Sequence, residues 1–576
     1  MENDKNQPSQ LAIGNDNMES DVSDGEFSGF GSDAAGSDIE IDDYSSVSTV
    51  HTADLSDFDD DLSDGESNGS DDDANAQQAR WQVNDRSDVG KSPFGGPQPG
   101  PTIILGPEDN ELDFFNLFFP RFLLELIVAQ TNLYARQKNA QRPDPNWREV
   151  SMREMLAWLG MRVYMSILQL PQTAMYWSTD SLFGNLNIRR VMKRDRFDKI
   201  SQYFHLADRR RNPQQGQPGH DKLHLVRPVL QAVQDACLRN YNPNQNVSVD
   251  EAMVKFRGRL SFRQYLPAKP TKYGIKVWMR ADPTNGYTNE FQVYTGREGN
   301  NREVGLATRV VLDLTRRIWG HFHIVNTDNY FTSPELAHQL LRHDTYLRGT
   351  VRNNRKGYPS QLLHKRDVRD QGQFKTATKG HLTACVWMDK KPIYTLSTAE
   401  NPANLVTAVQ RKSRRGEVRQ VPAPSIIPEY NSNMNGVDVA DQLRTEYSTY
   451  RTSKKWWRYL FWFLFDLAVT NGFILMREST NHQRRTKNNR AKVRTMVEFR
   501  MNLAKLLISD FTDNETAALA TVQAGHFSSK GEKRGRCRQC SKDKRRRDVI
   551  WMCRQCNIHL CVDCFQPYHR DLAKNK

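Results

Sequence analysis

The sequence predicts a multidomain α/β protein, and three observations carry that expectation. Charge divides the chain of 576 residues: the first ninety hold 24 Asp and Glu against Lys5, Arg80 and Arg86, a net charge of about −21, which leaves about +34 for the rest. Near Asn246 the spacing of apolar residues changes from a helical period to the alternation of strands. Six of the eight cysteines lie between Cys537 and Cys564.

Residues 1–108 are expected to be a disordered acidic tail and linker, because a stretch rich in Ser, Asp and Gly buries too little apolar surface to offset the entropy of ordering. Ser-Asp-Gly-Glu occurs there twice, from Ser23 and from Ser63, and suits an acidophilic kinase whose phosphates would add negative charge. Residues 109–245 read as helices over Phe114–Tyr134, Met152–Leu168 and Phe197–Leu206. Residues 246–353 read as strands and one helix. Ile275–Arg280 and Tyr287–Thr295 flank a Pro-Thr-Asn-Gly turn, a helix fits Leu306–Ile318, and strands fit Phe322–Thr327 and Tyr346–Val351. Strand, hairpin, helix, strand is the succession of a ribonuclease H-like core. A basic, β-rich insertion spans 354–424, with a hairpin at Thr383–Met388 and Pro392–Ser397; 425–447 returns to the core, and 448–525 is helical again.

Three aspartates stand at telling places in that core. Asp250 ends Val-Ser-Val-Asp and Asp328 ends Ile-Val-Asn-Thr-Asp, so both would project from neighbouring strand ends; Asp438 and Asp441 lie three apart, on one face of a helix. Magnesium, a hard ion, takes a few short carboxylates and keeps positions for phosphate oxygens. Two such ions, of magnesium or manganese, would activate an attacking oxygen and stabilise a leaving one. The plainer reading is that an isolated Asp after a strand forms a turn or caps a helix.

The positive body points to a polyanion, since Lys and Arg that neutralise phosphates release counterions. Basic runs at Arg209–Arg211, Arg484–Arg494 and Lys542–Arg547 supply the charge, and each alone is as well explained as a solvated face or a nuclear import signal. Membrane insertion fits less well: Tyr459–Met476 is near the minimum length for a span but contains Asp466 and Asn471, so it reads as a buried amphipathic helix. The polar, acidic amino terminus is not a secretory signal, and an intracellular, nuclear protein is expected.

At the other end, Cys537/Cys540, Cys553/Cys556 and Cys561/Cys564 form three Cys-x2-Cys pairs, with His559 and His569 beside them. Eight ligands fill two tetrahedral zinc sites, and a module over 535–572 has too little core to fold without such a staple. Spacing alone leaves sequential and interleaved pairing both open.

The chain resembles piggyBac-type transposases. The resemblance rests on Val-Asp-Glu-Ala-Met-Val-Lys-Phe-Arg-Gly-Arg from Val249, Tyr-Leu-Pro-Ala-Lys-Pro-Thr-Lys-Tyr-Gly-Ile-Lys from Tyr265, Asp-Asn-Tyr-Phe-Thr-Ser from Asp328 and Met-Asn-Gly-Val-Asp-Val-Ala-Asp-Gln from Met434, in family order from about Leu112 to the carboxyl terminus. It implies a cut-and-paste DNA transposase whose catalytic Asp positions fall on Asp250, Asp328 and Asp438, with a further carboxylate at Asp441. It also implies nicking and hairpin formation at transposon terminal repeats, integration at TTAA, and a homodimer that holds two ends through a helical DNA-binding and dimerisation domain split around the core. Trp456 matches a Trp near hairpin DNA, where stacking on an unpaired base contributes about 1–3 kcal/mol, or else is core. Arg257, Arg259, Lys269, Lys272 and Lys276 are expected at phosphates, unless they pair with acids such as Glu251. From the resemblance comes an interleaved, cross-brace pairing: Cys537, Cys540, Cys561 and Cys564 on one zinc, and Cys553, Cys556, His559 and His569 on the other. The alternatives are a transposase-derived DNA-binding protein that no longer cuts, and a RING- or PHD-like chromatin or ubiquitin-pathway protein.

Overall fold

The computed structural model describes residues 80–574 apart from 181, 268, 270, 297–302, 413–415, 486–490, 493, 513–527 and 554. The acidic stretch with both Ser-Asp-Gly-Glu sequences, and most of the Arg484–Arg494 run, lie outside the described residues.

Short strands β1 (Gln82–Val83), β2 (Gly100–Pro101) and β3 (Tyr241–Asn242) precede the longer ones: β4 (Asn246–Lys255), β5 (Gln264–Tyr265), β6 (Tyr273–Ala281), β7 (Thr288–Val293), β8 (Ile324–Thr327), β9 (Tyr346–Thr350), β10 (Phe374–Lys379), β11 (Leu382–Met388) and β12 (Pro392–Ser397). A mixed sheet runs β1-β10-β11-β12-β9-β8-β4-β6-β5, with β7 also paired to β6. Strands β4, β8 and β9 are parallel neighbours, and the remaining pairings are antiparallel. The expected succession of strand, hairpin, helix and strand is therefore present, with Leu306–Thr315 as helix α7 between β7 and β8. The β-rich stretch 354–424 gives three of its strands to this same sheet, and only β13 (Val406–Lys412) and β14 (Val418–Pro424) form a separate hairpin.

Side-chain alternation assigns the two faces of the sheet. Val247, Val249 and Trp278 meet Val310, Val311 and Leu314 of α7 and Leu336, Ala337 and Leu340 of α8 (Pro334–Arg342) on one side. Ala252, Ile275, Val277 and Met279 face the helical body on the other. That body joins segments far apart in sequence: α1 (Glu111–Asn116), α2 (Arg121–Gln141) and α3 (Met152–Ile167) share a core with α11 (Trp456–Glu478) and α12 (Met496–Ile508). Phe115 packs on Phe465 at 5.3 Å, and Trp158 on Trp462 at 5.8 Å between ring centres.

Helix α11 corrects the sequence reading in one respect. It is long and apolar enough to cross a membrane, yet its apolar window is buried within the protein on every side, not along one stripe. An all-round apolar helix belongs at the centre of a large core. Its Asp466 is satisfied there by Arg500, at 3.2 Å, and by the Thr449 N–H, at 3.0 Å.

Candidate functional site

Asp250 and Asp328 sit side by side because their strands run in parallel register: Val249 of β4 is opposite Thr327 of β8, and each aspartate is the next residue. The turn after β8 is closed by its own side chains. Asp328 Oδ1 accepts the Tyr330 N–H at 3.0 Å, Thr332 Oγ1 donates to the Asp328 carbonyl at 2.7 Å, and Ser333 caps α8, with Pro334 at its first position. Asp328 is thus a turn former as well as a member of the cluster, so the plain reading and the chemical one coexist.

The third aspartate comes from α10 (Gly436–Glu446), in its first turn. Two glycines bring this helix down onto the sheet. A Cβ on Gly436 would lie 2.4 Å from Ser248 Oγ and 3.0 Å from the Pro283 nitrogen; one on Gly286, in the β6–β7 turn at φ +78°, would lie 2.8 Å from Val439 Cγ1. Neither position accepts a side chain without moving the helix. Asp438 and Asp441 share a helical turn, as their spacing implies; Asp438 is the more exposed, and Asp441 accepts from Arg444 Nη2 at 2.8 Å.

Electrostatics tie these residues into one cluster. Burial, then the Glu251 charge and, more weakly, Asp328, holds the Asp250 carboxyl well above the usual carboxylate range. Burial and Glu251 push Asp328 up to about 6. Asp438 is raised by partial removal from water, with Asp441 and Glu251 adding to it. Lysines answer them: Lys269 lies 3.3 Å from Glu251 Oε1, and although burial works against its charge, Asp250 and Glu251 outweigh that and push it up. Lys276 approaches the same carboxylate at 3.9 Å. These two lysines are paired with an acid, whereas Arg257, Arg259 and Lys272 are exposed.

A set of half-buried carboxylates that repel one another is a donor set that fits hard divalent cations. Among the described residues, the groups whose ligand atoms all lie within 4.8 Å of one another are in the cysteine-rich tail, not here. Sequence reasoning did not single out Tyr430, in the middle of α9 (Ile426–Asn433). It is buried, its hydroxyl feels all three aspartates, and burial before those charges pushes its pKa up. No spacing or motif signals it. Trp456 opens α11 half-buried, its ring edge-on to Phe262 at 5.5 Å, while Trp457 is core.

In the tail, the interleaved grouping is observed. Cys537, Cys540, Cys561 and Cys564 are buried together as free thiols, with Sγ–Sγ distances of 3.8 Å from Cys540 to Cys561 and 3.5 Å to Cys564. Four sulfurs at 2.3 Å around a tetrahedral zinc would stand about 3.8 Å apart. Burial raises the Cys537 thiol, but the N–H groups of Cys540 and Cys561 bring it down to about 7. Cys553, Cys556 and His569 form the second group, with Cys556 Sγ 3.6 Å from His569 Nε2. His569 Nδ1 lies 2.7 Å from the Phe565 carbonyl, which fixes the tautomer that leaves Nε2 as ligand. His559 does not join them: its Nε2 is 2.9 Å from the carbonyl of Lys533, in the strand Ser528–Arg536 of the same small sheet.

The family model described as Transposase IS4 matches residues 110–473. The human PiggyBac transposable element-derived protein 3 is 26% identical over 525 residues, covering 85% of this chain and 81% of the relative; the human PiggyBac transposable element-derived protein 5 is 26% identical over 396 residues, covering 66% and 73%. Among solved structures, the cryo-EM structure of the piggyBac transposase synaptic complex with hairpin DNA matches with a TM-score of 0.62 and 26% identity, covering 81% of this chain and all of that one.

Proposed function

The chain belongs to the Transposase IS4 family, in its piggyBac-type branch, and from that premise we propose that it is a cut-and-paste DNA transposase whose ribonuclease H-like core cleaves and joins strands through Asp250, Asp328 and Asp438. The observation that carries the proposal is the convergence of three family-motif aspartates, from two adjacent parallel strands and one glycine-seated helix, on a single repelling cluster.

Asp250, Asp328 and Asp438 would hold two magnesium or manganese ions, with Asp441 supporting from the same helix. When bound, those ions activate the attacking oxygen and stabilise the leaving one. The protein's own contribution is positional. The parallel register fixes two carboxylates, Gly436 and Gly286 fix the third, and Lys269 offsets Glu251, so that the cluster stays compact before substrate arrives. Exposed Arg257, Arg259 and Lys272 are assigned to the DNA backbone, and Trp456 to an unpaired base near the hairpin. In this reaction water nicks a transposon end, the freed 3′-hydroxyl attacks the opposite strand to close a hairpin, and the reopened end joins a TTAA target. Two zinc ions in the tail would build a module that helps read the terminal repeats, a homodimer would hold both ends, and the work would be done in the nucleus.

The second reading, a transposase-derived DNA-binding protein that no longer cuts, draws support from the relatives, which are themselves named as transposable element-derived. One assay separates the two. Purified protein is incubated with magnesium or manganese and a transposon-end duplex bordered by TTAA, and the products are resolved on a denaturing gel; nicks and hairpins are expected, and their absence from the wild type overturns the catalytic reading.

A further inference from the structure

At the other end of β8 from Asp328 lies a cavity of about 470 Å³, within the range of small-ligand sites. It is bounded by β6, β7, the end of α6 (Arg227–Arg239), the segment Arg316–Ile318 and the stretch around Pro97. His323 and Asp328 flank β8 on opposite sides, so this site is separate from the aspartate cluster.

Its wall contains polar groups that the fold buries and leaves unanswered. Arg280 is 1% exposed; its Nη2 reaches Glu290 Oε2 at 3.3 Å, but Nε and Nη1 have no partner among the described residues. Asn289, also 1% exposed, has neither its amide nitrogen nor its oxygen engaged among the described residues. A buried donor without an acceptor is costly, more so when charged, so two such side chains lining one cavity call for a partner inside it. Arg317 and Arg239 line the same space with Asp235, and Arg280 feels Glu290 and Asp282 before it feels the like charge of Arg317. His323 brings no charge: its Nδ1 is 3.0 Å from the Asn244 carbonyl, and burial, with Arg280 beside it, holds its pKa down at about 4.

Planar guanidinium groups with unengaged N–H donors and a buried amide are the recognition chemistry of a tetrahedral oxyanion. We propose that this cavity binds a small phosphate-bearing molecule, with Arg280, Arg317 and Asn289 as its donors. The pocket is lined on one side by the chain near Pro97, whose Gly95 N–H bonds the His321 carbonyl at 3.0 Å; this half-enclosed shape favours a free small molecule over the backbone of a duplex.

The test is calorimetric titration of the full-length protein with sodium phosphate and with pyrophosphate, at constant ionic strength set with chloride, followed by competition with a short DNA duplex. Saturable binding of one phosphate per chain is expected, weakened about tenfold or more in Arg317→Ala and abolished in Arg280→Met and Asn289→Leu. Arg317 is exposed, so Arg317→Ala decides the matter if the buried variants fail to fold. Absence of saturable binding, equal binding by Arg317→Ala, or displacement of phosphate by the duplex would each overturn the assignment.

Discussion

The carboxyl of Asp328, pushed up to about 6 by burial and Glu251, carries a testable consequence for stability. Its unfolded value is near 3.9, so between about pH 4 and 6 the folded state binds the extra proton. Stability from this group is therefore present below pH 4 and lost as pH rises through 6, by on the order of 2–3 kcal/mol. A divalent cation that binds the ionised cluster restores it. Magnesium should raise the melting temperature clearly at pH 7.5 and little at pH 4.5, and Asp328→Asn should flatten that difference; an equal shift at both pH values would contradict the metal role of the cluster. At this scale the sequence was legible where backbone register decides, as for Asp250 beside Asp328, and less so where a single rotamer decides. His559 has a plausible spacing, yet its ring meets the Lys533 carbonyl of another strand. Lys269 sits in a basic motif, yet it answers Glu251. Tyr430 had no signal at all, because its neighbourhood is made by packing between distant segments.

Helix α10 shows how an element places a residue. Gly436 and Gly286 allow backbone contact that any Cβ would obstruct, so Gly436→Ala should displace Asp438 while the fold persists. Overpacking of this kind costs about 1–3 kcal/mol, and a shift near 1 Å at a reacting group costs on the order of 100-fold in rate. Strand cleavage that falls by that much, with an unchanged circular dichroism spectrum, is the expected result. The cysteine-rich tail makes a second element-level prediction. Metal analysis of the wild type should give two zinc ions per chain, Cys556→Ser and His569→Ala should each retain one, and His559→Ala should retain both. Strands and helices of the core were readable from alternation and from the Pro-Thr-Asn-Gly turn. What the sequence did not convey was that β10 to β12 extend the central sheet, since edge pairing is a long-range choice that local pattern does not record.

For the whole molecule, charge and burial decide the partner. The body after residue 90 carries about +34, the charge that suits a polyanion, and among the described residues its most apolar helix is buried. Binding to end-bearing duplex should weaken linearly on a log–log plot against salt, with a slope near −0.9 for each phosphate neutralised, and Arg257→Ala with Lys272→Ala should make it shallower by about 2. That positive body was plain from composition, whereas the joining of helices before and after the sheet into one core rests on aromatic contacts such as Phe115 with Phe465. The most direct test of the catalytic assignment is the single-turnover rate of magnesium-dependent cleavage of a TTAA-bordered end by the wild type and by Asp250→Asn, Asp328→Asn and Asp438→Asn. Wild-type cleavage with each variant slower by at least about 100-fold, beyond the 10–100-fold typical of residues that only support a metal ligand, is the expected result; an Asp328→Asn variant that cuts as fast as the wild type would contradict it.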